Sequence, residues 1–370
     1  MARIYHYCPT IAHRDAIGYS LSYLHKAMLR AGQPSFLVCD SNVVASAPPF
    51  TLSFEEFVAL RPTRDDIVLF HYSFLDRNAQ PMMELPCRKI MIYHNITPGH
   101  FFRSFGQQAL GDVCDAGRSY LSEMSGAFEA VVADSAYNGN ELSAAGYPTP
   151  HIIPVFYNGS FYADGTTDHD AFLQRRLEGE VSLVFVGRFV PNKRPDNLIR
   201  VAAAVKKLLG RPVRLRLHGK VWDEGYFRWL RRLSEELGVE HEISFAINQP
   251  QTALRTSLAS ADAFVSMSEH EGFMVPLVEA FSAGCPVVAL KSSAVTETCG
   301  PAGYLVDEPD VEMAAAYVAT ITRDRDLRRN LVRAQSARAC DFSEQRTLAK
   351  WSALLQNFIS KPLVNHAHRI

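Results

Sequence analysis

Residues 263–290 read AFVSMSEHEGFMVPLVEAFSAGCPVVAL and contain a complete strand–loop–helix–strand unit. The run Ala263–Met267 is short and largely apolar, Ser268–Val275 is a loop, and Pro276 suits a first helical turn because its missing N–H would be unpaired there anyway. The helix spans Pro276–Ala283, and Pro286–Leu290 is a second apolar strand. Strands that are apolar throughout rather than alternating are buried on both faces, as in parallel sheets covered by helices. Apart from Ser282, Glu279 is the only polar side chain of that helix. An ionised carboxylate facing a packed interior is costly unless something pairs with it. Glu279 therefore needs an explanation, and so does Glu271 in the loop before it.

The same grammar extends outward. Strands are expected at Ile4–Cys8, Ser35–Cys39, Ile67–His71, Lys89–Tyr93, Ala130–Ala133 and Ile152–Val155, then at Leu183–Val186, Arg214–Leu217 and Ile243–Ala246. The helices between them are amphipathic, with Leu198, Val201, Ala202, Val205, Leu208 and Leu209 on one face. This alternation defines an α/β chain with two parallel sheets, and 370 residues are too many for one ordinary core. The stretch Tyr157–Asp170, YNGSFYADGTTDHD, has no apolar period and is the expected linker between domains at 1–160 and 170–340. The tail HAHRI (366–370) is expected to fray.

Hydrophobic residues make up 47% and charged residues 21% of the chain, values of a folded globular protein. A formal charge of −1 gives no reason to expect nucleic acid as a partner. Seven scattered cysteines without a C-x-x-C pair suggest neither zinc nor a disulfide framework, only buried reduced thiols. The opening MARIYHYCPTIAHRD lacks a signal peptide's apolar core, and no run approaches the roughly 20 apolar residues of a spanning helix. The expectation is a cytoplasmic protein with at most weak peripheral membrane contact. FRWLRRL (227–233) and SYLHKAMLRAG (22–32) mix basic and apolar residues, which fits a solvated helix face better than a docking surface.

Ligands of open parallel sheets bind beyond the carboxyl ends of the strands, so the residues just after each strand carry the functional argument. In LVFVGRFVPNKRPDNLI (183–199), Gly187 ends a strand and Arg188 and Lys193 follow in the loop. Two cations beside a residue that permits close backbone approach suit a diphosphate, although loop cations often simply meet water. The Walker pattern is absent, which argues against a P-loop ATPase. Glu279, one turn into its helix, is close to the positive helix end and should stay ionised. From spacing alone, a salt bridge to a structural cation and a ligand contact to vicinal sugar hydroxyls weigh about equally. Glu271 would face the same crevice. His94 follows a strand of the first half, where a lone histidine is usually structural. Gly18, in TIAHRDAIGYS (10–20), opens a helix next to the first strand.

Taken together, SEHEGFMVPLVEAFSAGCPVV with its E-x7-E, VGRFVPNKRPDNLI, VVADSAYNGNEL, AGYLVD (302–307) and YHNITP resemble the family 4 glycosyltransferases (GT4) of the GT-B fold over nearly the full length. The resemblance implies two Rossmann-like domains with parallel sheets facing a central cleft, and a last helix within Ser343–Ile359 that returns to the N-terminal domain. It implies transfer of a sugar from a nucleotide-sugar donor with retention of configuration, without a cofactor or an obligatory metal. Carried over by position, Arg188 and Lys193 hold the diphosphate and Glu279 takes the ribose hydroxyls. Glu271 contacts the donor sugar, His94 lies beside that sugar, and Gly18 belongs to a loop approaching the phosphates. Gly187, Gly272, Phe273, Met274 and Val275 complete the donor-binding set, with Arg188, Lys193, Glu271 and His94 as its catalytic members. Same-face attack through a short-lived oxocarbenium-like state leaves Glu271 a positioning role. The expected acceptor is a saccharide or lipid-linked saccharide in polysaccharide or glycolipid assembly, and the best-matching donor is GDP-mannose. UDP-sugar transfer, a nucleotide-sugar 2-epimerase and a non-catalytic module are the alternatives. Two departures concern Ala16-Ile17-Gly18, where many relatives have a double glycine, and Leu217-His218-Gly219-Lys220, where a Gly-x-Gly is common. Asp324-Arg325-Asp326 lies in a charged helical segment and reads as a solvated face.

Overall fold

A computed structural model describes residues 2–12, 15–164 and 179–359. The chain forms two units: one from the N-terminus to His100, Gln108–Tyr157 and Phe342 onward, the other from Phe101–Gln107 and Asn158–Asp341.

The first unit is built on a parallel sheet of β1 (Ile4–Tyr7), β2 (Ser35–Cys39), β3 (Leu52–Ser53), β4 (Ile67–Tyr72), β5 (Arg88–Tyr93), β6 (Ala130–Ala133) and β7 (His151–Ile152), in the order β3-β2-β1-β4-β5-β6-β7. Ile4 lies opposite both Ser35 and Ile67. Ile67, Leu69, Ile90 and Ile92 pack under Leu24 and Met28 of the helix Ala16–Arg30 and under Trp351, Leu354 and Leu355 of the helix Glu344–Leu355. Each such side chain contributes about 1.5–3 kcal/mol by leaving water. The helix Glu344–Leu355 is thus part of this core, and the Tyr19 hydroxyl donates to Glu344 at 2.8 Å beside it.

The second unit has a parallel sheet of β8 (Val181–Val186), β9 (Val213–Gly219), β10 (Ile243–Ile247), β11 (Ala263–Ser266), β12 (Val287–Leu290) and β13 (Tyr304–Val306), ordered β10-β9-β8-β11-β12-β13. The helix Pro195–Leu209 buries Leu198, Val201, Ala202 and Val205 against it, while Leu208, expected on that face, is exposed near the helix end. Gly210 then takes the left-handed conformation (φ 61°) that stops the helix. Phe105 reaches this unit from the excursion Phe101–Gln107, edge-on to Tyr226 at 4.8 Å and 5.6 Å from Trp229.

Several expectations are corrected. Of Ile152–Val155 only Ile152 is strand; the Ile153 N–H still donates to the Ala133 carbonyl at 3.0 Å, but beyond it the chain leaves the sheet and the Phe156 N–H donates to Ser20 Oγ. β3 and β13, only two and three residues long, are too short to carry a periodic signal. In the expected linker the unit boundary falls after Tyr157, and Gly159–Ala163 is a capped helix of the second unit. Residues 165–170 of the linker and the tail HAHRI lie outside the described residues. Six cysteines are buried and none of the seven is in a disulfide, but Cys340 is exposed. In the two basic–apolar segments Leu24, Leu230 and Leu233 pack inward, while Leu29, Arg228, Arg231, Arg232, Lys26 and Arg30 face solvent. No helix among the described residues is long and apolar enough to cross a membrane.

In both sheets the first strand has neighbours reached by opposite winding: β1 lies between β2 and β4, and β8 between β9 and β11. The crevice beyond such a switch point is where open α/β sheets bind ligands.

Candidate functional site

At the switch point of the second unit, the loop after β8 and the loop after β11 are zipped together residue by residue. Asn192 accepts from the Glu269 N–H through its carbonyl (2.8 Å) and donates from its amide to the His270 carbonyl (3.1 Å). Lys193 pairs with Glu271, and Arg194 with Glu269. Arg194, itself left-handed at φ 50°, also forks onto Asp196 at 2.9 and 3.1 Å, which fixes the start of the helix Pro195–Leu209. Glu271 is buried, and its N–H donates to Ser293 Oγ at 2.8 Å. Lys193 and Glu271, read from sequence as contacts to different parts of one ligand, therefore compensate each other here. Removing either partner would strand a largely desolvated charge.

Arg188 is exposed, has no carboxylate partner among the described residues, and lies over the Trp222 ring at 5.4 Å. It is an open cation at the strand end. Gly187 is needed for a different reason than anticipated: a Cβ there would meet the Phe185 ring at 2.8 Å. A Cβ on Gly219 would lie 1.9 Å from the Gly187 carbonyl oxygen, so the close approach is between β8 and β9 themselves. Nearby, His218 is buried with Nε2 2.9 Å from Ser257 Oγ, and desolvation pushes its pKa down to about 4.

The helix observed at Val275–Ser282 begins at Met274, held left-handed at φ 72°, ψ 64°, with no side-chain cap. A non-glycine residue in that conformation costs on the order of 1 kcal/mol, a strain characteristic of ligand-facing turns. Phe273 is buried and its carbonyl accepts from Thr298 Oγ1 at 2.6 Å, which pins the loop, while Gly272 and Val275 are half-buried. The uncapped first turn is a place where an anion can rest. Glu279 follows one turn on. It has no ion pair among the described residues, so the salt-bridge reading is not realised. Part of its surface remains open to solvent, yet the surrounding protein desolvates it and pushes its pKa up to about 7; a hydrogen bond from the Tyr162 hydroxyl works in the opposite sense. The helix end does not keep it fully ionised at neutral pH, which corrects the expectation.

The first unit's switch point is arranged differently. Asp15 caps the helix Ala16–Arg30, accepting from the N–H groups of Ile17 (2.7 Å) and Gly18 (3.1 Å). A Cβ on Gly18 would lie 1.9 Å from the Ala12 carbonyl oxygen, so this glycine serves the packing of its own loop. The His94 ring is buried: Nδ1 is 2.8 Å from Asp134 Oδ2, and Nε2 is 2.8 Å from His71 Nδ1. His71 Nε2 is a buried nitrogen with no hydrogen-bond partner among the described residues. His6, with both ring nitrogens buried and without a hydrogen-bond partner among the described residues, follows at 6.2 Å from His71. Neither nitrogen of His94 is available to a sugar in this arrangement.

Sequence motifs thus find Arg188, Lys193, Glu271 and Glu279, and the structure brings Lys193 and Glu271 into contact. They do not find Arg194, Glu269, Asn192, Trp222 or Tyr162. The one available signal was the Lys193-Arg194 pair, since adjacent loop residues point to different sides and need different partners. Asp324 caps the helix Arg325–Ala339 through the Asp326 and Leu327 N–H groups, a structural use of the D-x-D pattern.

Known proteins place this architecture in a class. The chain superposes over 96% of its length on the whole of an Anabaena protein, HepE, determined in complex with UDP, with a TM-score of 0.69 at 16% identity. The fold is that of the GT-B glycosyltransferases, two α/β domains each with a parallel sheet. Residues 168–338 match the family described as "Glycosyl transferases group 1". It is 32% identical over 191 residues to a D-inositol 3-phosphate glycosyltransferase of Nocardia farcinica, a stretch covering 49% of this chain and 42% of that one. It is 25% identical over 221 residues, 56% of each chain, to a GDP-mannose-dependent alpha-(1-6)-phosphatidylinositol monomannoside mannosyltransferase of Mycobacterium tuberculosis. The match therefore spans about half the length of these relatives.

Proposed function

We propose that the protein is a retaining glycosyltransferase that moves a sugar from a nucleotide-sugar to a saccharide or lipid-linked saccharide acceptor. The observation that carries this reading is the second unit's switch point, where the loops after β8 and β11 lock together and leave Arg188 open beside an uncapped helix turn and a cation-free carboxylate, Glu279. Breaking a glycosyl–phosphate bond puts negative charge on the departing diphosphate, and fixed cations with helix N–H groups oppose that charge where it develops. Arg188 meets the diphosphate directly. Lys193 exchanges part of its pairing with Glu271 for the β-phosphate, which releases Glu271 toward the sugar hydroxyls, and Glu279 accepts from the ribose diol. The charge is thereby handled by the chain's own cations, and transfer should proceed at full rate in chelator.

GDP-mannose is the first donor to examine, supported by the mannosyltransferase relative; UDP-sugars compete, supported by the UDP-bound HepE. A thermal-shift series with GDP-, UDP-, ADP- and dTDP-sugars separates them, because only a ligand that binds the folded form raises the melting temperature. Glu279→Ala should abolish most of the winning shift. A panel in which no nucleotide stabilises the protein would sink the reading.

A further inference from the structure

We propose that Tyr162 is a positioning residue for Glu279: its phenol hydroxyl holds the carboxyl group in one orientation, ready to accept the hydroxyls of a ribose. This deepens the proposed function and rests on its reading of Glu279.

Tyr162 sits on the short helix Gly159–Ala163, which packs against both the Glu279 helix and the helix Gln251–Ser260. That short helix has little freedom. Asn158 accepts from the Phe161 N–H at 3.0 Å, and Arg255 donates to the Phe161 carbonyl at 3.4 Å while its guanidinium lies 4.7 Å from the Phe161 ring centre. Phe161 in turn stands edge-on to Tyr162 at 5.2 Å, and Tyr162 is 3% exposed. The phenol is thus delivered to Glu279 by an anchored ring.

The carboxylate needs such help. The elements packed against its helix carry the five arginines and Asp326 of Arg325–Ala339, and Glu297 and Cys299 of Val295–Cys299, and none of these acts on the Glu279 carboxyl. Without a cation, desolvation drives the group toward its neutral form, and the Tyr162 hydrogen bond is the one influence opposing it among the described residues. A neutral acid has a proton of its own to place and accepts a diol poorly. An ionised carboxylate has about four acceptor sites, of which Tyr162 takes one. Tyr162 also precedes residues 168–338, the span matched to the family, so the contact comes from this chain's own sequence.

The test is Tyr162→Phe, which keeps the ring and removes the hydroxyl. In ligand-free, 13C-glutamate-labelled protein, the Glu279 carboxyl, assigned by its loss in Glu279→Gln, should titrate near 7 in the parent. In Tyr162→Phe the midpoint should move up by roughly one unit, a tenfold change in the protonation equilibrium. Calorimetry with GDP and UDP should show about fivefold weaker binding in Tyr162→Phe at pH 7, converging on the parent at pH 9 where both carboxyls are ionised. An unmoved midpoint overturns the proposal, whether or not nucleotide binds. A moved midpoint in a protein that binds neither nucleotide upholds the Tyr162–Glu279 coupling and overturns the proposed function. If the parent binds through Glu279 and Tyr162→Phe binds equally well at pH 7, the inference fails while the function stands. A melting temperature near the parent's at pH 9 checks that the variant is folded.

Discussion

The two switch points of this molecule use polar residues in opposite ways. In the first unit, Asp134, His94 and His71 are joined in a chain that turns inward, with His6 behind it and the helix N–H groups already taken by Asp15. In the second, Lys193 and Arg194 are tied down, but Arg188 and the first turn at Met274–Val275 are left outward, and Glu279 has only a tyrosine. Polar groups turned into the interior serve the scaffold, whereas groups held in place but left facing outward can serve a site. The cost of holding Met274 left-handed and Glu279 cation-free belongs to the second kind.

The largest test of this contrast is Lys193→Ala. If Lys193 acts on developing charge, turnover falls about 10²–10³-fold with a much smaller change in nucleotide affinity, measured by single-turnover kinetics and calorimetry. A loss confined to KM would remove that role. The same change leaves Glu271 unpaired and should cost about 3 kcal/mol of stability. Adding Glu271→Gln should restore the melting temperature but not the rate.

The inward chain predicts acid sensitivity. Burial lowers the His6 pKa to about 3 and lowers that of His71 well below its ordinary value, so the unfolded state binds more protons on acidification. Stability from the neutral rings is fully present above pH 6.5 and is lost as pH falls toward the folded value. One such histidine accounts for about 2 kcal/mol between pH 6.5 and 5. Denaturant titrations should show a shallower acid slope in His6→Leu; equal slopes would mean that the ring escapes to water before it charges.

Glu279 should behave with the opposite sign. Its raised pKa favours the protonated folded form, so its ionisation weakens the free protein as pH rises from about 4.5 through about 7. If the carboxylate accepts the ribose diol as proposed, nucleotide affinity should instead rise up to about tenfold from pH 6 to pH 8, and Glu279→Gln should flatten the curve. The smallest effect is expected for Trp222→Ala. Freeing Arg188 from an exposed ring forfeits about 0.5–1 kcal/mol, a few-fold weaker nucleotide binding, with salt dependence retained.

The sheets were legible because strands buried on both faces cannot alternate; Ile67–Tyr72 and Val287–Leu290 are apolar nearly throughout. β3 and β13 were not, since two or three residues hold no period. Within the site, residues beside a strand end could be found from order alone, as with Arg188 and Glu271. Their partners could not. Whether Glu279 meets a cation or a phenol depends on Tyr162, 117 residues earlier in the chain, and whether His94 faces out or in depends on His71 and Asp134 on neighbouring strand ends. Spacing specifies the backbone address of a side chain, while its charge state depends on contacts that sequence order does not display.

The excursion Phe101–Gln107 has a consequence for biosynthesis. Phe105 emerges from the ribosome well before Tyr226 and Trp229, the rings it must cover, and the first unit's core waits for the helix Glu344–Leu355. Neither unit can mature as soon as its own stretch is translated, so the nascent protein carries uncovered aromatic surface until synthesis is nearly finished, and a fragment starting at Asn158 would keep its share of it permanently.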